Sequence, residues 1–183
     1  MTDNPTPVQA RPAGGRWKAL SANDIYGGVI GTVFASATLA AIPVGQAPSY
    51  SALWVAVSVA IAAVTRSYGQ HVSTHEVNSE TGFWRDLGSS MLTGIPMVLA
   101  SIPTVVALWL AHIFAWRDDV EGPDGLDTIG FTSIILLMNA ALLFGWGLLA
   151  GRIGGYSRWG ALAVGVGNAG IGLVVILVNL MIK

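Results

Sequence analysis

The stretch Thr65–Glu76 reads TRSYGQHVSTHE and gathers an arginine, two histidines and a glutamate. His71 and His75 are four residues apart, which on a helix puts both imidazoles on one face. That spacing suits two-point ligation of a divalent cation, and Glu76 and Glu80 add oxygen donors just beyond. Solvated side chains at the end of a membrane helix give the same pattern, so both readings stand. Arg66 fits neither. A guanidinium inside or at the edge of a bilayer is costly unless it snorkels or is paired, and such residues are functional candidates by default.

The elements that must position these residues are membrane helices. The chain has 183 residues, 53% hydrophobic and 10% charged, with a mean hydropathy of +0.63. A soluble domain carries about 25% charged residues, so the composition predicts an all-α polytopic membrane protein. The run SALWVAVSVAIAAV before Arg66 is too short to cross alone, and its helix must continue into TRSYGQHV. Five spans emerge, at about 24–44, 51–72, 88–115, 129–150 and 159–182. Pro96 and Pro103 predict a kink in the third. Residues 1–20 are polar, rich in Pro and Gly, and predict a disordered cytoplasmic tail. ASATLAA imitates a signal-peptidase site, but its apolar segment starts late and is long enough to span.

Basic residues set the expected orientation. Arg11, Arg16 and Lys18 precede the first span, Arg66 lies at the end of the second and Arg85 between the second and third, and Arg152 and Arg158 between the fourth and fifth. The opposite connections hold Arg117 and the acids Asp118, Asp119, Glu121, Asp124 and Asp127. The positive-inside rule then predicts the N-terminus in the cytoplasm and the C-terminus outside. Cysteine is absent, which excludes disulfides and thiolate metal sites. A net charge of −1 gives no electrostatic case for nucleic acid. No nucleophile elbow, phosphate loop, metalloprotease motif or catalytic carboxylate pair is present, so no enzyme is expected.

Other polar and small residues have two readings each. Asp24 opens the first span in SANDIYGG, either as a first-turn acid favoured by the helix dipole or as a cation ligand and proton carrier. Near the same membrane face, it is also an expected acidic partner for Arg66. Gly27, Gly31 and Ala35 recur every four residues and let two helices approach closely, within one bundle or between two copies. Segment five offers a similar series in Gly165, Gly167, Gly170 and Gly172. His112 reads as a hydrogen-bonded interhelical or interfacial histidine, and Asn139 and Asn168 as interhelical hydrogen-bonding residues.

Three segments resemble the vacuolar iron transporter family. SANDIYGGVIGTVFASATLAA resembles that family's first helix, with its Asn-Asp-Gly type opening and small residues. AAVTRSYGQHVSTHE resembles the end of its second helix, usually Ser-Met-x-x-Gly-Glu-Tyr-Val-Ser, and Gly69, Val72 and Ser73 fit. LLFGWGLLAGRIGGYSRWGALAVGVGNAGIGLVVILVNL resembles the last two helices and their connection. The resemblance implies a homodimer in a cell membrane, of the bacterial inner or plasma type, that moves Fe²⁺ or Mn²⁺ out of the cytoplasm in exchange for protons. Asp24 then matches the family's ion-path aspartate. The chain departs from the family at two path positions, where Arg66 replaces a methionine and Gln70 a glutamate. It also lacks the large metal-binding extension between helices two and three. A divalent ion about 4 Å from a guanidinium is repelled by roughly 8 kcal/mol at an effective dielectric of 20. The alternative expectation is therefore a non-transporting scaffold or accessory subunit with the same fold, its metal path blocked by an Asp24–Arg66 pair.

Overall fold

The structure is a computed structural model and describes residues 20–74, 83–118 and 130–182. The described residues form six helices in the order α1 (Ala22–Ala41), α2 (Pro48–Thr74), α3 (Phe83–Leu92), α4 (Ile95–Ile113), α5 (Phe131–Ile153) and α6 (Arg158–Ile182). Among the described residues, five stretches are long and apolar enough to cross a membrane, and Leu87–Ile113 joins most of α3 to α4 as the third. No more than 39% of the most apolar window of any span is buried in the bundle. Leu53, Ile61, Leu137 and Leu177 are among the large apolar side chains left exposed. Water would not tolerate that outer surface, and the hydrocarbon of a bilayer is its natural solvent.

α1 is the central helix, packed against α2, α4, α5 and α6. Its start is fixed by a capping box. Ser21 Oγ accepts from the Asp24 amide at 3.2 Å, and Asp24 Oδ2 accepts from the Ser21 amide at 2.7 Å and from its hydroxyl at 2.8 Å. The small residues of α1 serve packing inside this bundle. A Cβ at Gly31 would run into the Met97 carbonyl, one at Gly27 would come within 2.7 Å of Pro96 Cβ, and Ala35 is fully buried. α5 and α6 form an antiparallel pair built on the same device. Gly147 faces Gly165, Gly151 faces Ala161 and Gly172 faces Ala140, each too close for an added Cβ. Gly167 and Gly170 of the expected α6 series face open space instead.

The third span is broken, and the break lies before the prolines. Thr93 and Gly94 amides close short turns onto Ser90 and Met91 carbonyls at 3.0 and 3.2 Å, ending α3. α4 restarts with Gly94 as its N-cap and a proline in its first turn. Pro96 has no N–H for the Leu92 carbonyl, so a continuous helix would lose that bond. Pro103 is accommodated within α4.

At the far end, α4 closes with a Schellman turn in which the Trp116 amide reaches Ala111 O at 2.8 Å and the Ala115 amide reaches His112 O at 3.1 Å. Ala115 therefore adopts φ 51°, a region that favours glycine. α5 closes in the same way with a glycine, Gly155, at φ 75°. The N-cap of α5, Gly130, makes no side-chain cap. Asp118 supplies one from the preceding connection, accepting from the Thr132 amide at 3.4 Å and hydroxyl at 3.0 Å.

Candidate functional site: a polar cluster at the break of the third span

Arg66 is half-buried on α2 and reaches the break. Its Nη2 donates to Asn23 Oδ1 at 3.0 Å and its Nη1 to the Thr93 carbonyl at 3.5 Å. The guanidinium carbon lies 4.5 Å from the centre of the Tyr26 ring, a cation–π arrangement. Asn23 Nδ2 donates to the same Thr93 carbonyl at 3.3 Å. The Thr93 hydroxyl donates to Ser90 O at 2.7 Å and to Gln70 Oε1 at 3.2 Å. The Thr93 carbonyl, just beyond the end of α3, carries the negative end of that helix dipole, and a cation is favoured there. Arg66 supplies it from the neighbouring helix.

The partner of Arg66 is thus the amide of Asn23. The acidic partner expected for it, Asp24, is one helical step of about 100° further round α1. Its Oδ2 is taken by Ser21, and it lines a groove beside Ile95 and Pro96. The signal was present in the sequence as Ser21-x-x-Asp24, the spacing of a capping box. Asn23 and Thr93 are the residues that charge matching overlooks, because an amide and a carbonyl carry no formal charge.

Behind Arg66, α2 and the break approach closely at Gly94. Gly94 sits where an added Cβ would lie 2.7 Å from Ser67 Oγ and 2.9 Å from Ala63 O. Ser67 is fully buried, and its hydroxyl has no hydrogen-bond partner among the described residues. His71, one turn further on the same face, is buried to 2% exposure. That corrects its reading as a solvated residue at the membrane surface: the α2 face that carries Ser67 and His71 turns inward. His75, Glu76 and Glu80 lie outside the described residues. Among the described residues, no group of three or more His, Cys, Asp or Glu side chains is placed to hold a metal ion.

A second polar feature crosses the middle of the bundle. Thr104 Oγ1 donates to Asn139 Oδ1 at 2.8 Å, Asn139 Nδ2 to Ser36 Oγ at 3.0 Å, and Ser36 Oγ to Thr32 O at 2.8 Å. Thr32, Ser36, Thr104 and Asn139 are all at or below 2% exposure. This chain ties α1, α4 and α5 together, as expected for Asn139. Asn179 does the same for α6 and α1, donating to Ala40 O at 3.0 Å.

No known family model, no curated protein and no solved structure matches the chain.

Proposed function

We propose that the protein is a membrane transporter for a small cation whose path runs past the broken third span and is held shut by Arg66. The observation that carries this reading is the guanidinium on Thr93 O and Asn23 Oδ1 at the end of a half-helix. Broken spans whose freed carbonyls face a cation are a recurring way of building ion sites in transporters. Here the oxygens and an aromatic face converge on a cation that the protein itself carries. A solute cation would compete with Arg66 for the same acceptors, and the path opens when the side chain leaves. The resemblance of the first, second and last two helices makes Fe²⁺ and Mn²⁺ the first substrates to test, with Asp24 as proton carrier. The distribution of Arg66, Arg152 and Arg158 at one end supports a cytoplasmic position for that end.

A second reading has its own observation. The centre of the bundle satisfies its polar groups internally through Ser36, Asn139 and Thr104, as a scaffold or accessory subunit would. Reconstituted proteoliposomes with an imposed proton gradient separate the two. Transport predicts uptake of Fe²⁺ or Mn²⁺ above protein-free vesicles, falling at least about tenfold in Asp24→Asn, as one lost charge-assisted contact would give. Background uptake of every cation tried, by wild type and by Arg66→Met alike and with folded protein in the vesicles, would leave only the scaffold.

A further inference from the structure

A lateral groove of about 390 Å³ opens between α4 and α5 at the Arg66 end of the bundle. Ile95, Leu99 and Pro103 line it from α4, and Leu142 and Trp146 from α5. Among the described residues, its one ionisable lining residue is Asp24. Trp146 forms the floor, because its indole lies against Gly28, where an added Cβ would meet the ring at 2.6 Å. Ile95 to Pro103 covers about 12 Å of helix at 1.5 Å per residue, and Leu92 and Leu20 extend the groove outward. One leaflet contributes about half of a hydrocarbon core roughly 30 Å thick. The groove therefore runs about as deep as a single leaflet, with apolar walls and an acid at its outer end.

We propose that this groove holds one acyl chain of a phospholipid with a primary-amine headgroup, whose ammonium rests against Asp24. The apolar walls take the chain, as they would for any lipid. The carboxylate supplies the selection, since it attracts an ammonium and repels a headgroup that carries only phosphate. Ser21 holds Asp24 Oδ2 through two bonds, so the carboxylate is fixed at the mouth. Arg66 is turned to Asn23 and Thr93 and does not bond it. The inference does not rest on transport, and its readout is lipid retention rather than flux.

The test is native mass spectrometry of the full chain in mild detergent, titrated with dioleoyl phosphatidylethanolamine or with dioleoyl phosphatidylglycerol. The wild type is expected to retain one ethanolamine lipid at about fivefold lower concentration than the glycerol lipid, the range of a partly exposed charge pair. Asp24→Asn keeps a side-chain oxygen for Ser21 and is expected to reduce that preference below about twofold. Leu99 is 57% exposed, so Leu99→Trp adds bulk to the groove without entering the core, and it is expected to weaken retention of both lipids. Equal retention of the two lipids by wild type would overturn the proposal, as would a preference that survives Asp24→Asn. So would a lipid-free dimer that Leu99→Trp disrupts, because a second copy would then fill the groove.

Discussion

Asn139 and Gly31 set the tolerance of the bundle to single changes. Asn139 is fully buried and serves both Thr104 and Ser36, so Asn139→Ala strands the Thr104 hydroxyl in an apolar centre and takes from Ser36 Oγ its donor, leaving it the bond to Thr32 O. Interhelical hydrogen bonds in membranes are worth about 0.6–2 kcal/mol each, and thermal unfolding in detergent should show a loss of roughly 1–3 kcal/mol. Added to Ser36→Ala, the same substitution should cost less than the sum, since both remove one shared bond. The glycines divide by what faces them. Gly31→Ala drives a methyl into the Met97 carbonyl and should destabilise by about 1–3 kcal/mol. Gly167→Ala meets nothing within 4 Å and should change the midpoint little. A role for Asn139 in interhelical bonding was legible from its type and its apolar setting. Its partners were not, because Ser36 lies 103 positions away and no local periodicity encodes that pairing. Arg66 was legible as anomalous for the same reason that Asn139 was, but its partner required knowing which side of α1 faces α2.

At the level of elements, the two Schellman turns form an internal control. α5 ends on Gly155 and α4 ends on Ala115, both with positive φ. Ala115→Gly should therefore stabilise α4 by about 0.5–1 kcal/mol, read as a raised unfolding midpoint, with no change in helix content. If the midpoint falls, the left-handed turn at Ala115 is wrong. The cap that Asp118 lends α5 should be worth about 0.5–2 kcal/mol, lost in Asp118→Ala and partly kept in Asp118→Asn. The five spans were readable because each is an apolar run closed by Gly, Pro or charged residues. The break in the third was readable only as a kink near Pro96. Its position at Thr93–Gly94 follows from the missing proline N–H together with the Ser67 and Ala63 atoms that only glycine admits, and the second half of that cause lies on another helix.

For the whole molecule, the bundle is closed across its middle by hydrogen bonds and latched at one end by Arg66. The sequence made the bilayer environment plain, because 10% charged residues cannot cover a water-facing surface. It could not reveal the latch, which forms where α1, α2 and the broken span converge. Whether that guanidinium governs passage separates a latched path from a closed scaffold. Arg66→Met keeps length and apolar bulk while removing the charge and its bonds to Asn23 and Thr93. The deciding measurement is Mn²⁺ flux into proteoliposomes of wild type and Arg66→Met, matched for folded protein and with the same proton gradient. Flux is expected to be at least about tenfold higher in the variant, equivalent to removing roughly 1.4 kcal/mol of barrier. Equal flux in the two, whether high or at background, would contradict a latch at Arg66.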